Sequence, residues 1–424
     1  MIPLPLLPHE PRLLALQAVQ RSRALFALLA FFVLLLGRFW WFGEATTWAG
    51  FIRTCLYLTL LLGVVEIRRL PGHLRTNPLL IVVLAFLSYA ALSSLFLGDA
   101  KVARRALLML AFLLAIYTIC REVQYRCVQV LQAMVMASSL VAIATLWLHW
   151  QSGLLFTGYR EAAISGTGIL GFAEFENSVL ASLEMSFSLI VCAWLALRAR
   201  HWPERIVWVL CALPILLYVY STFGRTGWLA TAIGFLALIM QHPGLRARYM
   251  LLVILLVNIS LIGALFHERI AFELFTRSLT HRDEIWAMVL NLMPGYWLIG
   301  HGADASVENL LGTQLLGGQF PFVINHSHSI YIEVLFNFGV LGLLGLLAVL
   351  ACAFRQLWIA RNTELARLWF AVLTGMTVAM AFDFSSLIST PNLVWLWLWL
   401  PISWAVAVGS AIGPLTGAGQ RFIE

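Results

Sequence analysis

The sequence predicts an all-α, polytopic integral membrane protein of about twelve transmembrane helices, with one long outer loop that carries short amphipathic helices. Three observations lead there. Of 424 residues, 61% are hydrophobic and only 11% are charged, against roughly 25% charged in soluble domains. Apolar runs near the length of a membrane-crossing helix recur along the whole chain. Arginine concentrates in alternate connections between those runs, the asymmetry that orients membrane proteins.

In chain order the apolar runs fall at 22–42, 46–66, 78–98, 103–120, 127–150, 177–197, 206–223, 226–241, 248–266, 328–354, 366–386 and 391–412. Arg12, Arg21 and Arg23 precede or open the first run and no small-residue cleavage site follows it, which predicts an uncleaved first span. The chain divides into 1–266, nine spans with an outer loop near 151–176; 267–327, a long outer loop; and 328–424, three further spans. Both long connections exceed what a tight helix–helix link needs, and such loops are often functional.

Arg68, Arg69 and Arg75, then Arg121 and Arg126, Arg198, Arg200 and Arg205, Arg246 and Arg248, and Arg355, Arg361 and Arg367 mark every second connection, with Arg421 in the C-terminal tail. That side is expected to be cytoplasmic, with both termini inside. Loop arginines account for the net charge of +7, and nothing in the pattern suggests nucleic acid. Lys101 is the sole lysine, so the choice of arginine itself says little and position carries the argument. The six cysteines all lie in or beside apolar runs, a pattern that predicts neither a structural disulfide nor a cysteine metal site.

Several spans carry ionisable side chains in their outer halves: Arg53, Glu184, Glu333 and Asp383. Such residues face a bundle interior or a wet cavity, and their shared depth predicts a polar cavity open to the outside. Trp40, Trp41, Trp48, Trp147 and Trp150 fit an aromatic belt at the outer interface, while Trp395, Trp397 and Trp399 fit a lipid-facing or packing role.

The stretch Asn325–Gly345 is where polarity stops and a span begins. Read as helix from about Ser327, it puts His328 in a first turn, where the N-terminal field suits a phosphate and keeps an imidazole neutral. Gly339, Gly342 and Gly345 recur every three residues, a spacing that marks a face for close helix approach. Three arginines share the outer side with His328. Arg160 lies in GYREAAISGTGILGF; Arg225 lies in STFGRTGWLA, at a glycine-flanked turn; Arg282 lies in LTHRDEIWAMVLNLMPGYWLIGHG. In the last, Thr280 with Asp283 matches a capping box. Ile285, Met288, Val289 and Leu292 then line one face of a short helix suited to lying on the membrane surface.

Guanidinium groups bind phosphate through a planar fork, and several suit a diphosphate. A neutral histidine takes a proton from a hydroxyl nucleophile. Together these are the parts for moving a group from a lipid diphosphate carrier to an alcohol, with His328 as base and His326 and Glu333 as supporting candidates. Each arginine read alone is equally well a salt-bridge partner or a headgroup contact. The competing chemistry is a metal held by His326 and His328 with Asp283, Glu284, Asp304 or Glu308. No DxD or HExxH pattern occurs, so no metal and no cofactor is expected.

These residues resemble the O-antigen ligase family of bacterial envelope glycosyltransferases. His328-Ser329, nine residues and then Gly339-x-x-Gly342 is similar to the motif beside that family's catalytic histidine. Arg225-x-x-x-Leu229 is similar to its arginine motif in a short periplasmic turn. Arg282-x-x-x-Trp286 followed by GYWLIGHG is similar to its Arg…Trp…Pro-Leu-x-Gly-x-Gly segment, with Leu298-Ile299 here and no proline. Arg160 with ENSVLAS resembles a further region. The resemblance spans about 150 to 345 together with the helical layout.

The resemblance implies a GT-C-like fold in the bacterial inner membrane with its active site facing the periplasm. The implied reaction is a metal-independent, inverting transfer of O-antigen from undecaprenyl diphosphate to a sugar hydroxyl of lipid A–core oligosaccharide. Arg225, Arg282 and Arg160 would hold the diphosphate, and His328 would activate the acceptor. Polymerases and protein-glycosylating ligases of the same superfamily are alternatives, and Arg160, ten residues and Gly171 also resembles a polymerase motif. A secondary transporter, using Arg53 and Glu184, should show two similar halves, and none is apparent.

Overall fold

A computed structural model describes residues 10–41, 44–63, 77–96, 100–153, 178–245, 281–303, 326–384 and 386–411, with 248–249, 252–253, 256, 260, 263–264, 267–272, 275, 305, 307 and 310 between them. The helices of ten residues or more among the described residues are α1 (Glu10–Trp40), α2 (Ala45–Leu62), α3 (Pro78–Phe96), α4 (Lys101–Glu122), α5 (Gln124–Gln151), α6 (Ser178–Arg198), α7 (Trp202–Ser221), α8 (Arg225–Gln241), α9 (Arg282–Asn291), α10 (Ile330–Ile359), α11 (Glu364–Phe382) and α12 (Leu400–Ala411). No strand occurs among the described residues. The chain is an all-α polytopic membrane protein.

Among the described residues eight helices are long and apolar enough to cross a membrane, fewer than the twelve expected. The difference has identifiable sources. Helix α2 and the stretch Trp395–Ser410 are apolar but shorter, α8 has 17 residues, and most of 248–266 lies outside the described residues, as does 154–177 of the first long loop.

Contacts between helix ends agree with the arginine pattern. Arg23, within α1, pairs with Glu122 at the end of α4, 2.5 Å apart. Asn77 before α3 donates to the Val406 carbonyl in α12 at 2.8 Å. The Trp194 indole at the end of α6 donates to the Glu364 carbonyl at 2.9 Å, and Gln241 at the end of α8 donates to that of Arg367 at 3.3 Å. The pairs bring together segments that adjoin the same set of arginine-bearing connections.

Tryptophan fills much of the interior. Trp194, Trp369, Trp395, Trp397, Trp399 and Trp404 are fully buried. Trp395–Trp399 forms a π-helical turn in which the Leu400 amide bonds the Trp395 carbonyl five residues back. Pro401 follows and has no amide to offer. The wider register accommodates that loss and points three indoles inward, onto the carbonyls of Ser389, Leu183 and Leu387. Packing is therefore their role, and the lipid-facing alternative does not hold. Of the expected belt, Trp147 and Trp150 are exposed and in mutual contact, whereas Trp48 is buried and bonded to the Val33 carbonyl.

Candidate functional site

The site is built at the ends of α8 and α11 opposite the Gln241–Arg367 contact. The turn into α8 is tight: Phe223 takes a left-handed φ of 51° and Gly224 caps the helix. The first turn of α8 lies against α6, where Ser182 and Ser186 donate to the Gly224 and Gly227 carbonyls at 3.3 and 3.0 Å. A β-carbon at Gly227 would overlap the Ser182 side chain, which is why glycines flank Arg225. Arg225 is the first residue of α8 and half-buried; Thr226, next to it, donates its hydroxyl to Asp383 Oδ2.

Asp383 is the residue that terminates α11, and it joins two of the arginine-bearing segments. Its Oδ1 accepts from Arg282 Nη2 at 2.9 Å, so one carboxylate links the start of α8 to the start of α9. A guanidinium has five N–H donors, and the remainder keep Arg282 able to hold an anion. Helix α9 begins at Arg282, and His281, in a left-handed conformation with φ 59°, occupies the cap position without a side-chain cap bond. Thr280, of the expected capping box with Asp283, lies outside the described residues. The apolar face of α9 does not lie on a membrane surface. Ile285 and Val289 are buried with Met293, Val307 and Phe336, and Met288 and Leu292 pack around them. The stripe is consumed by protein contact with α10.

The histidines sit in a turn held from both sides. Trp286 of α9 donates its indole N–H to the Ser327 carbonyl at 3.0 Å. Glu333 Oε2 accepts from the Ser327 amide at 3.1 Å and from its hydroxyl at 2.8 Å. Glu333 thus binds the residue between the two histidines rather than either imidazole. His328 has φ 56° and precedes the helix, whose first residue is Ile330 and whose cap is Ser329. The expectation of a first-turn His328 is corrected: a left-handed residue breaks the helical path, and both histidines stand before it. The rings of His326 and His328 have centroids 4.2 Å apart.

His328 is neutral for a different reason than a helix field. Burial, then the neighbouring His326, then the Arg282 guanidinium lower its pKa to about 4. Burial also lowers that of His326, against the pull of the Asp383 carboxylate. His328 thus feels the Arg282 charge and His326 the Asp383 charge.

A backbone exchange at Gly339 fastens the α9 segment to α10. Gly339 has φ 66° and ψ −167°, which kinks α10 and opens the bonds that Val340 and Leu341 would make to Phe336 and Asn337. The freed carbonyls of Phe336 and Asn337 accept from the His301 and Gly302 amides at 2.8 and 2.9 Å, and the freed amides donate to the Trp297 and Leu298 carbonyls at 2.8 and 3.2 Å. Every opened group is repaired by the loop that follows α9. The glycine triplet thus serves two purposes. Gly345 approaches Phe86 of α3, as a helix-packing glycine should, but Gly339 is a docking point for non-helical chain.

Of the sequence candidates, Arg225, Arg282, His326, His328 and Glu333 come together at this end, and Arg160 lies outside the described residues. Asp383 joins the site, Glu184 is buried within α6, and Arg53 lies on the exposed face of α2, so the four intramembrane charges do not share one cavity. Sequence reasoning names Trp286 only as part of a motif and misses Thr226; the signal for Thr226 is its place beside Arg225 at a helix start, where a hydroxyl can reach a neighbouring carboxylate. Among the described residues no three His, Cys, Asp or Glu side chains gather as a metal's ligand set.

Residues 209–347 match the family model described as O-antigen ligase, a stretch that contains Arg225, Arg282, both histidines, Glu333 and Gly339. The chain is also 26% identical over 384 residues, covering 88% of both chains, to a Pseudomonas aeruginosa protein named O-antigen ligase. The segment that carries the motifs is thus similar to the O-antigen ligase model, and the chain as a whole is similar to a protein of that name along nearly its full length.

Proposed function

We propose that this protein is a glycosyltransferase that moves O-antigen polysaccharide from undecaprenyl diphosphate to a sugar hydroxyl of lipid A–core oligosaccharide. The observation that carries the reading is the juxtaposition of a neutral His328 with an Arg282 fixed by Asp383. His328 takes the acceptor hydroxyl proton as the oxygen attacks the anomeric carbon. The bond from that carbon to the diphosphate oxygen breaks, and the electron pair leaves with the diphosphate. Arg282 and Arg225, with Arg160, hold the leaving group and stabilise the charge that grows on it. A single displacement inverts the anomeric centre. A base with so low a proton affinity is weak in the empty site. An anionic diphosphate beside it offsets the Arg282 charge and strengthens it as the donor binds.

The chemistry runs without metal in this reading, since guanidinium groups supply the positive charge. Arginine-bearing helix ends face the cytoplasm with both termini, and the Asp383 end faces the periplasm across the bacterial inner membrane. The division into 1–266, 267–327 and 328–424 follows from that placement. The test is the glycan profile of a deletion strain together with turnover by purified protein. Loss of ligation leaves long glycan on the lipid carrier and naked core. Single repeats on core would instead indicate a polymerase, and an unaltered lipopolysaccharide with an under-glycosylated protein would indicate a protein-glycosylating ligase.

A further inference from the structure

The loop that repairs the α10 kink presents four large hydrophobic side chains in a row. Tyr296, Trp297, Leu298 and Ile299 are 48, 46, 63 and 58% exposed. Such a cluster needs a partner, because soluble surfaces rarely carry contiguous apolar patches of this kind. Several of its backbone groups are bonded within the protein. The Tyr296 and Gly300 amides bond within the turn at 2.7 and 2.8 Å, and the Trp297 and Leu298 carbonyls are taken by α10. His301 donates to the Leu292 carbonyl at 2.9 Å and stacks on Tyr296, which fixes the segment to the end of α9.

The exposed face of α10 shows what the row adjoins. From Ile330 to Gly339 no residue of α10 is exposed; the exposed stripe begins at Val340 and continues through Leu341, Leu344 and Leu347. Val340 and Leu341 are the residues bonded to Trp297 and Leu298. The row therefore extends the outward-facing apolar stripe of a membrane span without a gap. From Gly339 to Ile359 the helix rises about 30 Å, the thickness of a bilayer's hydrocarbon core, and Trp358 with Arg361 over its ring closes the far end. The docking point thus lies where hydrocarbon begins on the site's side, the level that favours Tyr and Trp.

We propose that Tyr296–Ile299 is a membrane-inserted tip whose partner is the hydrocarbon of the leaflet on the site's side. It is an anchor built from non-helical chain at the edge of the hydrocarbon, where α10 takes the Trp297 and Leu298 carbonyls and the headgroup layer can serve the remaining amides. Its consequence is positional. The segment Ile330–Phe338 lifts the histidine turn roughly 13 Å beyond the tip, so the tip sets the height of Arg282 and His328 above the acyl chains. This inference stands apart from the transfer reaction, since it concerns depth alone.

The experiment uses the full-length protein in phosphatidylethanolamine–phosphatidylglycerol vesicles, with the photoreactive residue benzoylphenylalanine incorporated at position 298, at 344 as a lipid-facing reference, or at 283 as a water-facing one. Illumination should cross-link position 298 to phospholipid with a yield close to that at 344 and at least several-fold above that at 283. A yield at 298 no higher than at 283, with 344 still labelled, overturns the proposal. So would a cross-link from 298 mainly to another protein chain.

Discussion

Replacing Gly339 with alanine tests the coupling between the loop and the helix. The residue sits at φ 66°, ψ −167°, a region held almost only by glycine, where another residue stores about 1–3 kcal/mol of strain. An added β-carbon would also overlap the Leu298 carbonyl. The helix has a ready escape. If α10 straightens, Val340 and Leu341 bond Phe336 and Asn337 internally, and the four bonds to the loop are lost together. Regaining two helical bonds is worth about 1 kcal/mol each. Docking of the loop should weaken by about 3–5 kcal/mol in all, a shift of roughly 10²–10⁴ in the docked population. The span itself should survive. Amide hydrogen exchange over 296–302 should rise toward that of a free loop, protection at Val340 and Leu341 should persist, and transfer should fall roughly a hundredfold as α9 loses its register. Gly345→Ala is the control: its β-carbon meets only the Phe86 ring edge, 2.9 Å away, a side chain that can shift. Unchanged exchange over 296–302 and a normal rate in Gly339→Ala would refute the bond exchange as the reason for glycine there.

His328→Ala should reduce transfer by at least the roughly hundredfold typical of losing a general base while donor binding survives, and His326→Ala should retain most activity; the reverse pattern would move the base by two residues. Because the low proton affinity of His328 leaves it neutral above about pH 4, kcat/KM should fall only as pH drops through that value. The kcat limb should lie at higher pH, since bound diphosphate raises the affinity; coincident limbs would argue against diphosphate beside the imidazole. Arg282→Ala and Arg225→Ala should each cost about 1.5–3 kcal/mol in the transition state, roughly tenfold to a hundredfold in rate, with lysine rescuing poorly for want of a planar fork. Full activity in both alanine variants would make them surface charge. Purified protein should turn over in excess chelator, and a loss reversed by one added metal would revive a His326/His328 metal centre.

Residues distant in sequence meet here by rules of different legibility. Helical spans are written locally, as apolar runs of the right length, and the sidedness of arginine is a sum over loops. Arg225, Arg282 and His328 were recognisable because helix starts, glycine punctuation and charge out of place on the outer side are all local signals. The partners of those residues were not. Asp383 reaches Arg282 across 101 positions and Thr226 across 157, and no periodicity encodes which carboxylate closes onto which guanidinium.

The sequence by itself determined an all-α membrane protein, the set of arginine-bearing ends and the three short segments proposed to carry the chemistry, because hydrophobic length and local turn chemistry act over a few residues. Only the tertiary structure decided that α9 packs on α10 rather than on a membrane surface, that Glu333 grips Ser327 between the histidines, and that Gly339 is a docking point. It also decided that His328 precedes its helix and is kept neutral by burial and its neighbours. Those outcomes depend on where buried polar groups find partners, and that is settled only when segments far apart in the chain have packed together.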